Sequence, residues 1–416
     1  MKRHKLFGLV LFLLLVLSPL DTNAAELSLD LPAALQYALR ENPELKAKRH
    51  TLGVARARAQ QAGLLLQHNP RFSVEMETPA SGKASTSVEL NLLQEFEIAG
   101  QRGYRHEAAA KNLAQAQLAV ADAERLLGLE VTQAYYQLLA VQQLIRDLKE
   151  VLTVQENLLD SGQKRFARED ISVLELNTLR LDRDHVRSEL ANKMHVRVLI
   201  EKQLRQLIGF QENGSLTVSG DLLDLLTKTS RTLPDRQTII ACVVASRPDV
   251  KAAKLAVEVR EAELRLAQAR RIPNISIGPR YKRDSNENLF GGDIAIPLPL
   301  FDRNQEEVAT ALANQNVSRA ELEGRLLTAK QDIDAPYSKL AVAQETVDSY
   351  GKTYSEEIEK MVALTRKAYE SGEMTIFEFS VTRDRFTQAR ARSLDAALAF
   401  IQAVAELEAQ APGCLK

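Results

Sequence analysis

Ala34-Leu35-Gln36-Tyr37-Ala38-Leu39, followed by Asn42-Pro43-Glu44-Leu45, returns later in the chain as Ile239-Ile240-Ala241-Cys242-Val243-Val244, followed by Arg247-Pro248-Asp249-Val250. Both passages continue as charged, Ala-rich helical sequence. Both then reach a proline, Pro70 or Pro273, that opens a strand-like stretch. Further on, Phe166 to Leu176 matches Tyr369 to Phe379, with Ile171-Ser172-Val173-Leu174-Glu175 against Met374-Thr375-Ile376-Phe377-Glu378. One short match carries little. Matches in constant order at an offset of about 202 to 205 residues mark a duplicated unit.

Each half reads as helix, two strands, long helix, helix. Between about 103 and 165, Val131, Tyr135, Leu138, Val141, Ile145, Leu148 and Leu152 recur in steps of three and four, one face of a helix. Some 60 residues at 1.5 Å each make a rod of roughly 90 Å, which needs packing partners along its length. Residues 171–208 form its antiparallel return, and the second half repeats the pair at 303–371 and 375–410. Pro336 lies inside the first of these and predicts a kink. The boundaries are a first repeat over 25–210 (strands about 70–98, tip about 161–173), a linker over 211–235, and a second repeat over 236–416 (strands about 273–301, tip about 369–377). Gly214, Gly220 and Pro234 mark the linker.

The strands alternate. Phe72, Val74 and Met76, then Val88, Leu90 and Leu92, are apolar positions with Ser and Glu between them. A soluble sheet with one wet face reads the same way. Two features point instead to a membrane: the second pair (274–282 and 289–301) recurs in register with the first, and each stretch is about 10 residues, the length of a tilted membrane-crossing strand. Four strands cannot close a barrel, and open sheet edges are not tolerated in lipid. Strands that span therefore require several chains to share one barrel.

Residues 1–24 have the form of a secretory signal: Lys2, Arg3 and Lys5, an apolar run from Leu6 to Leu17, Pro19, then Thr22, Ala24 and Ala25. The run is shorter than the roughly 20 residues a membrane helix needs, which disfavours an uncleaved anchor. The chain carries 54 basic and 55 acidic residues, a formal net charge of -1 that removal of the signal takes to -3. It has no basic excess for a nucleic-acid partner. The 26% charged and 45% hydrophobic composition, with no Trp, suits long helices rather than disorder. No Cys follows the apolar run to accept lipid. Cys242 and Cys414 either pair in an oxidising compartment or remain two buried thiols, and their spacing does not decide between these.

Catalytic signatures are missing. The chain has no HExxH, CxxC, phosphate loop or G-x-S-x-G, which argues against a hydrolase and implies no cofactor. His50, His68, His106, His185 and His195 never fall three or four apart. Asp182, His185 and Glu189 share a helix face, but Arg183 and Arg187 flank them, so solvated ion pairs are expected there rather than a metal site.

From about residue 26 to its end the chain resembles the TolC family of outer-membrane efflux channels, and within it the CzcC-like heavy-metal branch. Glu95-Phe96-Glu97-Ile98-Ala99-Gly100-Gln101-Arg102, then Arg105 and Ala108, resembles that branch's strand-to-helix turn, with Gln101 where Lys is usual. Pro297-Leu298-Pro299-Leu300-Phe301-Asp302-Arg303-Asn304-Gln305 resembles its counterpart, with Glu306 where Gly is common. The resemblance implies a mainly α fold with a small β part and duplicated halves. Long antiparallel hairpins would form a periplasmic α-barrel, and four strands per chain would contribute to a shared 12-stranded transmembrane barrel in a homotrimer. It implies a passive duct in the outer membrane, embedded in lipid and extending into the periplasm. The partners would be a periplasmic adaptor (membrane fusion protein) and an inner-membrane RND pump, and the cargo heavy-metal cations. A multidrug or type I secretion channel is the alternative. A periplasmic adaptor fits less well, since adaptors usually carry one hairpin and β-rich domains on both sides.

The family's tip motif is an aromatic, then Gly, Ser or Thr, and an acid, each three residues on. Tyr369, Gly372, Thr375 and Glu378 fit throughout; Phe166, Ser172 and Glu175 fit, with Glu169 in place of Gly. The resemblance makes Phe166, Ser172, Tyr369, Gly372 and Thr375 adaptor-docking candidates. Glu175 and Glu378 become gate candidates, Val381 standing where a further acid is frequent. Three copies of Glu378 on one axis would attract cations; the alternative is ordinary pairing of these acids with Arg180 or Arg383.

Overall fold

The computed structural model describes residues 27–78, 86–210, 215–224, 234–284, 287–350 and 352–415; the signal sequence lies outside them. In the first half, β1 (Leu27–Leu29) leads to α1 (Leu31–Glu41), α2 (Pro43–Ala62), β2 (Arg71–Glu77), β3 (Ser87–Phe96), α3 (Gln101–Phe166) and α4 (Val173–Ile208). After β4 (Leu216–Val218) the second half has α5 (Arg236–Ser246), α6 (Pro248–Ala269), β5 (Ile275–Asp284) and β6 (Glu287–Ala295). It continues with α7 (Gln305–Gln331), α8 (Asp334–Tyr350), α9 (Lys352–Glu370) and α10 (Ile376–Gln410).

The duplicated motifs are helix starts. Asn42 caps α2, its Oδ1 accepting the Leu45 amide at 2.8 Å, and Pro43 occupies the first turn, where its missing N–H costs nothing. Asn42 Nδ2 also donates to the Leu207 carbonyl at 2.8 Å, tying α2 to the end of α4. Arg247 takes the equivalent place before Pro248 but works through charge. Its buried guanidinium bridges Asp249 at 2.8 Å and Asp332 at 2.7 Å. Desolvation opposes the charge on Arg247, yet the two carboxylates outweigh it and raise its pKa, and that of Asp249 is held down.

At 1.5 Å per residue, the 66 residues of α3 span about 100 Å. The sheet stands at its beginning, the main core around its middle, and the hairpin tips at its end. The core gathers Val131, Leu138 and Leu139 of α3 with Leu204 and Ile208 of α4, Ile239 and Val243 of α5, Ile333, and Leu407 of α10. β1 and β4 pair in parallel within it, so part of the segment between the halves, including buried Leu216 and Leu222, belongs to the core. Tyr135 is buried there and its hydroxyl donates to the Ser219 carbonyl at 2.5 Å.

Two expectations are corrected. The 303–371 rod is interrupted rather than one kinked helix. The break falls at Asp332 and Ile333, because the Pro336 ring cannot share a helix with the Asp332 carbonyl four residues earlier. Pro336 instead lies in the first turn of α8. The last strand ends at Ala295, not 301, since Pro297 and Pro299 offer no ladder donors. Asp182 accepts from Ser380 and lies 3.6 Å from Arg383 Nη1, both on α10 of the second hairpin.

Candidate functional site: a two-faced sheet and two capped hairpin tips

The strands form one antiparallel sheet in the order β2-β3-β5-β6. Residues directly opposite in antiparallel strands project to the same face, so the register sorts the side chains. One face carries Phe72, Val74 and Met76 opposite Leu92, Leu90 and Val88, and continues through Ile275, Ile277 and Tyr281 to Phe290 and Ile294. The Tyr281 and Phe290 rings meet at 5.1 Å. The other face carries Glu75 and Glu77, then Glu89 and Asn91, then Arg280 and Lys282, then Asp293. Arg280 lies 3.4 Å from Asp293, and Lys282 lies 3.9 Å from both Glu77 and Glu89. The apolar face is open: Phe72 is 62% and Phe290 83% exposed. Among the described residues the outer edges of β2 and β6 have no strand partner.

Matching turns join strands to helices. Gly100 and Asn304 both have a left-handed backbone, φ 76 and φ 60. The glutamine after each accepts the amide two residues back: Ala99 N–H to Gln101 at 2.7 Å, Arg303 N–H to Gln305 at 2.7 Å. Gln101 is buried and donates to Asn274 Oδ1 at 3.2 Å, locking the first turn to the second half. A lysine here could not also accept.

The tips share one backbone design. In the first, the Asp170 amide bonds the Arg165 carbonyl and the Glu169 amide bonds the Phe166 carbonyl, both at 2.9 Å. In the second, Glu373 bonds Ala368 at 2.9 Å and Gly372 bonds Tyr369 at 3.1 Å. This is the Schellman arrangement, with Glu169 (φ 65) and Gly372 (φ 81) left-handed. The departure from Gly at 169 thus leaves the turn unchanged but adds strain. Glu169→Gly is expected to stabilise the first tip by about 1 kcal/mol, and Gly372→Ala, with open space around its Cβ, to destabilise the second by about as much. Hydrogen exchange of the two tips checks this; shifts of equal sign would contradict it.

The gate candidates serve their own helices. Ser172 and Glu175 form a reciprocal capping box, the Ser172 amide donating to Glu175 at 2.7 Å and the Glu175 amide to Ser172 Oγ at 3.2 Å. Thr375 and Glu378 form its twin, with bonds of 2.9 and 3.3 Å. The Thr375 amide and then its hydroxyl hold the Glu378 carboxyl below the usual glutamate range. Among the described residues neither acid pairs with arginine: Arg180 reaches Asn177, and Arg383 reaches Asp182 and Asp384.

Leu158, Leu159, Leu176 and Leu179 of the first hairpin pack with Ile376 and Phe379 of the second in a separate apolar cluster. Tyr369 lies against it, its ring 5.1 Å from Phe379; burial raises its pKa while nearby Arg165 opposes the rise. Phe166 is exposed. Leu174 and Phe377, 73% and 70% exposed, take matching places after the caps, outside the family's tip motif. The signal was present as an apolar residue following each capping Ser or Thr by two.

The outer membrane efflux protein family profile matches residues 34–210 and 240–411. The chain is 21% identical over 378 residues to the cobalt-zinc-cadmium resistance protein CzcC of Cupriavidus metallidurans, covering 90% of this chain and 88% of that one. It is 26% identical over 331 residues to the nickel and cobalt resistance protein CnrC of the same organism, covering 76% and 74%. Among solved structures, CusC superposes with a TM-score of 0.74 at 20% identity, covering 95% of this chain and 96% of that one. The open-state outer membrane channel MtrE of Neisseria gonorrhoeae gives 0.72 at 19%, covering 93% and 89%. A duplicated fold with a two-faced sheet at one end and capped hairpin tips at the other, matched over both halves, places this chain in the outer membrane efflux protein family, whose members are outer-membrane channels extending into the periplasm and not enzymes.

Proposed function

We propose that this chain is the outer-membrane duct of a tripartite efflux system that exports heavy-metal cations. The sheet carries this reading. A charged face and an apolar face on four strands with both edges open make sense when three copies close a 12-stranded barrel, polar toward the lumen and apolar toward lipid. The metal cargo is supported by relatives named for cobalt, zinc, cadmium and nickel resistance. A deletion strain should lose tolerance to divalent metals and regain it with the intact gene. Lost tolerance to drugs and detergents with normal metal tolerance would keep the duct and overturn the cargo.

The tips would meet the periplasmic adaptor, which links the duct to an RND pump. Phe166, Ser172, Tyr369, Gly372 and Thr375 shape that surface, and exposed Leu174 and Phe377 supply apolar area for a partner to bury. Glu378 and Glu175 would ring the tunnel mouth. Their capping bonds fix the carboxylates at the helix starts, where Glu378 is exposed and Glu175 half-buried. Glu378→Ala is expected to lower cation conductance in a planar bilayer while trimers persist; unchanged conductance would remove Glu378 from the gate.

A further inference from the structure

The two hairpins enclose a cavity of 490 Å³ between the main core and the tip cluster. Its walls come from α3 and α4 of the first hairpin and α9 and α10 of the second, so a single chain builds it. Helix interfaces are ordinarily close-packed, and a void of this size matches the sites that hold small organic ligands. Along the cavity α3 and α10 run antiparallel. Asp147 of α3 meets Arg390 of α10 at 2.9 Å near the core end. One turn closer to the tips, Val151 of α3, Phe386 of α10 and Val362 of α9 form an apolar stretch of wall.

The charges around this void do not balance. Four acids and four bases line it. One of the bases, Arg383, is committed elsewhere: Nη2 donates to Asp384 at 2.6 Å and Nη1 lies 3.6 Å from Asp182, neither of which faces the cavity. That leaves one acid in excess. The excess is felt at Asp147, whose side chain is only 17% exposed. Burial drives its pKa up, Glu150 adds to the rise, and the nearby Arg390 opposes it without cancelling it. Asp395, exposed at the rim, lines the same end five residues beyond Arg390 on α10. A buried carboxylate so placed is stabilised by a further cation.

We propose that this cavity binds an amphipathic amine, its ammonium between Asp147 and Asp395 and its apolar body along Val151, Phe386 and Val362. An organic acid of the same shape is disfavoured, because it would add to the excess negative charge and find Arg383 already engaged. The occupant touches both hairpins of one chain.

Equilibrium dialysis of the full-length channel in maltoside micelles tests the site, with protein-free micelles as the blank. The probes are 4-phenylbutylamine and 4-phenylbutanoate, which share a body and differ in the sign of their charge. The amine should bind once per chain and the acid should not. Asp147→Asn should weaken the amine by about tenfold or more, the effect of losing a charge-assisted hydrogen bond. Val151→Phe, which fills the apolar stretch, should abolish binding, and Ala391→Leu on the α10 wall replaces it if that variant does not assemble. Equal uptake of amine and acid would show partition onto apolar surface and overturn the proposal. Amine binding that ignores both substitutions would place it at another site, and no binding would leave the cavity to water; either result also overturns it.

Discussion

Gly278→Val is expected to abolish assembly of the channel. A Cβ at Gly278 would lie 1.6 Å from the Leu92 carbonyl oxygen and 2.7 Å from its carbon. These are backbone atoms, which can give way only if β3 and β5 part. The pair is also where the two halves of the sheet meet, since β3 belongs to the first half and β5 to the second. The ladder is already interrupted here: pairing runs from Asn91 with Arg280 to Gln94 with Ile277, and Pro279 lies between with no amide to give. Even alanine would bring its methyl into the Leu92 carbonyl. Gly291→Val is the matched control, because a Cβ there meets only the Arg280 side chain, at 3.8 Å. Recovery of detergent-stable oligomers from the outer membrane reads the result: lost for Gly278→Val, retained for Gly291→Val. Normal assembly of Gly278→Val would mean that the β3–β5 pairing is wrong.

The second large effect concerns Cys242 and Cys414, which form a disulfide with Cα atoms 5.9 Å apart. It closes a loop of 172 residues containing both second-half strands and the second hairpin. Constraining so long a loop in the unfolded chain contributes on the order of 5 kcal/mol by loop entropy, and about 2–4 kcal/mol is typical of measured bridges. The bond also anchors the chain end: Cys414 and Leu415 pack on the main core, and Ser246 Oγ lies 3.5 Å from Cys414 Sγ. A reducing agent should lower the melting temperature of the wild type. Cys414→Ser should start from that lower value and ignore the reductant. Equal melting temperatures with and without reductant would show that the bridge contributes nothing.

Much of the fold is legible because its signals are periodic or duplicated. The run from Val131 to Leu152 reports a helical face, and α3 extends from Gln101 to Phe166 around it. Alternation at Phe72–Met76 and Val88–Leu92 reports strands whose faces the register then sorts. The unread features arise from contacts between distant segments or from competition at one residue. Pro336 alone predicts a kink, but three residues further back the buried Ile333 joins the core and Asp332 accepts from Arg247, so the helix stops and restarts. The disulfide depends on the approach of α5 to the end of α10, which spacing does not encode. At the tips, Ser172-x-x-Glu175 and Thr375-x-x-Glu378 are capping boxes in plain sequence, so the acids that the family resemblance makes gate candidates also cap their own helices. The left-handed turn at Glu169 was hidden because the chain uses a residue that pays for that conformation, where the second half uses Gly372.

Native mass spectrometry of the full-length protein, extracted with detergent from outer membranes, tests the central claim most directly. The open edges of β2 and β6 and the two-faced sheet predict a particle of three chains found only in the detergent extract. A soluble particle of a single chain would contradict the shared barrel, and with it the duct.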